Sequence, residues 1–249
     1  MKTVSENTKR SLIYWNQTAN GYGIGQSLVN FNLEKCLIEN YANVFKEVAN
    51  SLSSSKKYSF VKVWQNAIKN EKRALENKLK KDFPNITEED VNRVTRKFRG
   101  NLGEILVEKL AEAGYFRKYF INYTPIDDPH NEDYTDATAE DSGSGGLVGI
   151  QIKNYAFEVI PREIFVKAAV MDSKWIREGK VSNLSYVSQH IISFTNAAED
   201  YKIKDLFKCC IFIGPNEIDK LGLTGVQADK NGSNVKLFED LYKEIESFK

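Results

Sequence analysis

Over the first hundred residues the apolar positions recur at intervals of three and four. Leu33, Leu37, Tyr41, Val44, Phe45 and Val48 trace one stripe, and Phe60, Trp64, Ile68, Leu75 and Leu79 a second. That period predicts two amphipathic helices. Thr87, with Asp90 three positions on, opens "TEEDVNRVTRKF" as a third, in a capping pattern with Asp where Glu or Gln is usual. Residues 1–98 are therefore expected to form an all-helical region.

From Gly100 the pattern changes. "GNLGEILVEKLAEAG" predicts a helix with Leu102, Ile105, Leu106, Leu110 and Ala113 on its apolar face and Gly114 as its stop. "YFRKYFINY" then predicts a strand. "DYTDATAE", the turn "DSGSGG" and "LVGIQIKNY" predict a hairpin. "LSYVSQHIISFTNAA" predicts a helix, "LFKCCIFIG" a buried strand and "NVKLFEDLYKEIESF" a closing helix, while "EIFVKAAVM" fits neither period clearly. The order implies an α/β domain over 99–249 with a mixed central sheet flanked by helices.

The hairpin carries the candidate chemistry. Gln151 and Lys153 stand two apart on a strand that is otherwise apolar, so they share a face. Folding the hairpin between Gly143 and Ser144 sets Asp136 opposite Gln151 and Tyr134 opposite Lys153. A carboxylate, an amide oxygen and an ammonium then converge, which suits a hard divalent cation and the water it activates. A one-residue slip would change the facing set, and Asp141, in the turn under this register, is the second choice of carboxylate. Glu104 is the further acidic candidate. It sits with Glu108 on the polar side of its helix, off the Leu102, Ile105 and Leu106 stripe. An ordinary solvated glutamate is the competing reading.

Bulk composition narrows the classes little. The 249 residues are 41% hydrophobic and 28% charged, an ordinary globular balance. No apolar run reaches the roughly 18 residues of a membrane span, and "MKTVSENTKRSLIYW" lacks the apolar centre of a signal peptide. Cys36, Cys209 and Cys210 have neither disulfide nor metal spacing, so a reducing cytoplasm is expected, with Cys209 and Cys210 as buried thiols. His130 and His190 have no Cys partners at ligand spacing, which argues against zinc. Gly21, Gly23 and Gly25 follow no strand and precede no Lys-Ser/Thr pair, which rejects a nucleotide loop. Trp15, Trp64 and Trp175 are expected in core or interface positions rather than as base-stacking platforms.

Net charge is +1, but its distribution is uneven. Lys56 to Arg99 holds 13 basic and 6 acidic residues, a balance of +7, and Ile121 to Ile152 holds 7 acidic and no basic ones, a balance of −7. The basic segment is either a solvated helix surface or a phosphate-facing one.

The order "RGNLGEILVEKLAEAGYF", an Asp opening a hairpin, then "IQIKNY" resembles the PD-(D/E)xK nuclease superfamily, in its Mrr-type restriction and Holliday-junction-resolvase-like branch. The matching positions are Gly100, Glu104, Gly114 and Tyr115, then Asp136, then Gln151, Ile152 and Lys153. Gln is common in Mrr-like members at the place of the usual Glu. Thr135 stands before Asp136 where others have Pro, and the acidic insert "PIDDPHNEDY" matches no family pattern. The resemblance spans roughly residues 99–215 and leaves out the helical region.

It implies a restriction-endonuclease-like core and a Mg2+-dependent endonuclease on DNA, with Mn2+ able to substitute, in restriction or antiviral defence. Asp136 would be the central metal ligand, joined by the Gln151 side-chain oxygen, the Ile152 carbonyl and Glu104, and Lys153 would orient the attacking water. Gln189 and His190 fall where the superfamily places an auxiliary polar residue, on the helix expected after the Lys strand; core packing or solvation competes with that role. The helical region would supply recognition, dimerisation or regulation. Expected partners are DNA and a second copy, as a homodimer or higher even oligomer, with no membrane. The alternatives are an inactive nucleic-acid-binding or assembly subunit on the same fold, or a repair or junction-resolving nuclease.

Overall fold

A computed structural model of the chain describes residues 33–53, 59–126, 135–156, 159–161, 163–167, 187–197, 210–223 and 233–247. Trp15, Trp175, His130, Tyr134, Cys209 and the glycines at 21, 23 and 25 lie outside them, as does the side chain of Cys36. The chain divides into two compact units. One is Met1–Leu102 with Gly222–Lys249, and the other is Gly103–Leu221. The division differs from the expected 98/99 boundary at the C-terminal end, where residues 222–249 belong with the helical part.

The helical unit holds α1 (Leu33–Leu52), α2 (Phe60–Asp82), the first part of α3 (Glu88–Glu112) and α5 (Ser233–Glu246). The predicted stripes are its core: Leu37, Tyr41, Phe45, Val48, Phe60, Trp64, Ile68, Leu75 and Leu79 are buried. Phe45 lies 5.7 Å from Trp64, and Phe238 of α5 sits against both Phe45 and Phe60. α5 thus covers apolar surface of α1 and α2. Thr87 caps α3 as expected: its hydroxyl oxygen accepts from the Asp90 N–H at 3.1 Å and its O–H donates to the Asp90 carboxylate.

The sequence reads α3 as two helices meeting at Gly100, but it is one helix. A glycine costs a buried helix only about 1 kcal/mol, which the packing of Phe98, Leu102, Ile105 and Leu106 outweighs. The helix ends at Gly114, whose φ of 82° makes the left-handed stop, and the Tyr115 N–H reaches back to the Leu110 carbonyl. Ala113, expected on the apolar face, is exposed.

The second unit is built on a five-stranded mixed sheet in the order β1-β2-β3-β5-β7. The strands are β1 (Phe120–Pro125), β2 (Ala137–Asp141), β3 (Leu147–Lys153), β5 (Val187–Ser193) and β7 (Cys210–Ile213). β2 is antiparallel to β1 and β3, while β3, β5 and β7 are parallel. A small parallel pair, β4 (Val159–Ile160) and β6 (Asn196–Ala197), and the short α4 (Pro215–Asp219) complete the described elements. One face of the sheet packs Ile191 and Cys210 against Ile160, Ile164 and Phe165, the last two on a helical segment at 163–167. On the other, Phe116 stacks on Phe120, which meets the His190 ring edge-on at 6.0 Å. The expected fold class is the observed one: α/β, a mixed sheet flanked by helices, and a helical N-terminal region.

Two elements differ from expectation. The segment around Gln189 and His190 is the strand β5 and not a helix. Its sequence, VSQHIIS, mixes polar and apolar residues without a decisive period, and it is pairing with β3 on one side and β7 on the other that makes it a strand. The strand expected from Tyr115 starts only at Phe120, because Phe116 accepts turn hydrogen bonds from Tyr119 and Phe120.

Candidate active site

The hairpin register decides which side chains meet. Ala137 pairs with Ile150, Thr138 with Gly149 and Ala139 with Val148. This is the register expected from the turn, and it sets Asp136 beside Gln151. Asp136 stands at a bend just before β2, its N–H bonded to the Ile150 carbonyl at 2.8 Å. The turn is held by Asp141, whose Oδ1 accepts from the Gly143 N–H, the Ser144 N–H and the Ser144 hydroxyl. Those bonds hold its carboxyl below the usual range. Asp141, the second choice of carboxylate, is thus committed to the turn.

Asp136 Oδ2 accepts two hydrogen bonds, from Gln151 Nε2 at 2.5 Å and from the Ile152 backbone N–H at 2.5 Å. Gln151 is buried, and its Oε1 has no hydrogen-bond partner. A buried carbonyl oxygen left in this way costs about 1–3 kcal/mol. Strand alternation puts Lys153 on the face of Gln151. Burial pushes its ammonium below the ordinary value, against the upward pull of Asp136 and Glu104, and Lys167 adds to the lowering.

Glu104 is exposed, yet near enough to bias both Lys153 and Tyr123. One close approach fixes this end of the site. A Cβ on Gly103, the residue before Glu104, would lie 2.9 Å from Cβ of Asn154, the residue after Lys153. Only glycine lets α3 and the end of β3 come so close.

Several neighbours carry no sequence signal. Glu108, expected on a solvated face, is buried. Tyr123 follows a bulge in β1 where the register shifts between Ile121 and Thr124 and Asn122 takes a φ of 54°. Burial, then Glu108, Glu104 and Asp136, pushes its phenol well above the ordinary value, so it stays protonated. Tyr155 is raised by burial and by Asp136 and Glu163. Glu163 and Lys167, both on the helical segment, thus also act on the site.

Gln189 lies on the same sheet face, over Gly149, where a β-carbon would collide with its amide. His190 points to the opposite face, buried, with no hydrogen-bond partner on either ring nitrogen. Burial lowers its pKa to about 4.

Among the described residues no three His, Cys, Asp or Glu side chains stand close enough to hold a metal ion. The candidate set supplies two carboxylates, so amide and main-chain oxygens must complete it. The unpartnered, buried Gln151 Oε1 beside Asp136 fits that demand, because a hard divalent cation takes neutral carbonyl oxygens as readily as carboxylates.

No family model matches the chain, and no curated protein does. Among solved structures, the chain is similar to one described as a restriction endonuclease PspGI–substrate DNA complex, at 13% identity and a TM-score of 0.42, over 90% of this chain and 95% of that one. No helix among the described residues is long and apolar enough to cross a membrane.

Proposed function

We propose that this protein is a metal-dependent endonuclease that hydrolyses phosphodiester bonds in DNA, serving restriction or antiviral defence. The observation that carries the reading is the pairing of half-buried Asp136 with buried Gln151 through a 2.5 Å hydrogen bond, with Gln151 Oε1 left without a partner. Asp136, Gln151 Oε1, the Ile152 carbonyl and Glu104 would hold Mg2+, with Mn2+ as a substitute. When bound, the ion supplies water activation and charge neutralisation at the phosphate.

The other work falls to the chain itself. Asp136 is oriented by the Ile152 N–H, so its carboxylate is aimed before any ligand arrives. Lys153, held on the same face, offers its ammonium to the scissile phosphate and to the attacking water. Burial lowers its pKa, and Asp136 and Glu104 oppose that shift. Tyr123, kept protonated, is a neutral donor among carboxylates. Cutting both strands needs one such site per strand, which supports a homodimer or higher even oligomer; light scattering with and without DNA reads this out.

The test is digestion of plasmid, linear and modified DNA with Mg2+, Mn2+ or EDTA. Cleavage with either metal and none with EDTA is expected. Absence of cleavage on every substrate, with Mg2+ and with Mn2+, overturns the reading.

A further inference from the structure

The side of α2 turned away from the core is sorted by charge. Lys62, Asn66, Lys69, Arg73, Asn77 and Lys80 follow one another at steps of three and four residues, and all six are exposed. Such steps place them on one helical face. No acidic residue interrupts the row. Of the acids beside it, Glu76 pairs with Lys72 at 3.1 Å and Glu47 accepts from Asn70, while Glu88 pairs at 2.8 Å with Lys80 at the end of the row. Glu71, deeper in the helix, accepts from Asn40 and Asn43 of α1. Lys62, Lys69 and Arg73 make no ion pair among the described residues.

From Lys62 to Lys80 the row runs about 27 Å at about 1.5 Å per residue, about four-fifths of one turn of duplex DNA. We infer that this face of α2 binds the sugar–phosphate backbone of a nucleic-acid duplex, Lys62, Lys69 and Arg73 supplying the charge and Asn66 and Asn77 hydrogen bonds to phosphate oxygens. Its composition argues for the backbone of a duplex over two other occupants. The row holds no aromatic side chain, so it offers single-stranded bases nothing to stack on. A membrane surface needs apolar residues beside the cations, and those of α2, such as Trp64, Ile68, Leu75 and Leu79, are buried inside the unit. Contacts of this kind position a duplex without reading its sequence. That the duplex is DNA rests on the proposed function.

The test is anisotropy titration of a labelled DNA duplex of about 30 base pairs, without Mg2+, across a series of salt concentrations. Compared are the wild type, the triple variant Lys62→Ala/Lys69→Ala/Arg73→Ala, and a control triple elsewhere on the surface, Lys220→Ala/Lys236→Ala/Lys243→Ala. A charge-retaining triple, Lys62→Arg/Lys69→Arg/Arg73→Lys, guards against loss of fold. The expected result is at least about tenfold weaker binding for the first triple and a slope of log affinity on log salt flatter by about 2.7, or 0.9 per lost phosphate contact. The control and charge-retaining triples should bind as the wild type does.

Equal affinity and slope for the first triple overturn the inference. So does an equal loss in the control triple, which would make the effect one of net charge. Preference for single strands, or binding to phosphatidylserine vesicles that the first triple abolishes while duplex binding persists, overturns it as well. Failure of the nuclease reading looks different: the wild type then binds the duplex through this face but cuts no DNA with any metal.

Discussion

In the helical unit the buried amides have found partners. Asn40 donates to Glu71, Asn101 to the Tyr41 hydroxyl and Asn234 to the Gly222 carbonyl. In the sheet unit Gln151 Oε1 and both ring nitrogens of His190 have none. The helical unit pairs these buried amides as it folds, while the sheet unit keeps the Gln151 amide oxygen open beside a carboxylate and a lysine. An unsatisfied buried group is a standing cost to stability, so the second unit is where function is expected.

The sharpest way to break this contrast is at the site. Asp136→Ala and Lys153→Ala should each lower DNA cleavage by several orders of magnitude. Melting temperatures should stay within a few degrees of wild type, because neither side chain fills the core. Lys153→Arg should not rescue, since a planar fork does not replace a compact ammonium. A fully active Lys153→Ala protein removes the nuclease assignment.

The next largest effect is on stability against pH, and it isolates His190. Its pKa falls from 6.5 in the unfolded chain to about 4 in the folded one. Between those values the unfolded state binds a proton that the folded state refuses. Stability from this group is therefore present above pH 6.5 and lost as pH falls toward 4, by about 3 kcal/mol in all. Urea midpoints from pH 7 to pH 4 should fall less steeply for His190→Leu than for wild type. Parallel curves would mean the ring is solvated in the folded state.

Gly103→Ala tests the approach of α3 to β3. Overpacking there should cost about 1–3 kcal/mol. It should also reduce cleavage by displacing Glu104 from Lys153. Adding Asn154→Gly removes the atom in conflict, so the double variant should be more stable and more active than the sum of the singles allows. Strict additivity in a double-mutant cycle would show that the contact does not couple the two residues. The smallest effect belongs to Asp141→Ala. It should cost about 1 kcal/mol through the turn and leave the cleavage rate unchanged. A dead Asp141→Ala enzyme would reverse the assignment of the carboxylate.

The hairpin was legible because a period of two and a glycine-rich turn leave one register that keeps Val148, Ile150 and Ile152 on one face. The stripes of α1 and α2 were legible for the same kind of reason, at a period of 3.6. What escaped was set at long range. β5 is decided by β3 and β7 on either side of it, which no local window contains. Tyr123 lies where the register of β1 shifts, next to Asn122 with its φ of 54°. The seating of α5 on α1 depends on Phe238 meeting Phe45, more than 190 positions earlier in the chain.

The hydrogen bond from the Ile152 N–H to Asp136 belongs to the main chain, and so it is carried by every amino acid but one. Selection acting on side chains can change position 152 among valine, leucine or isoleucine without touching that donor. Proline alone deletes it, together with the ring's demand on the strand. Among relatives of this chain the position should therefore vary among apolar residues while never admitting proline. A comparison that ranks importance by invariance of residue type would pass over an atom that aims the central carboxylate.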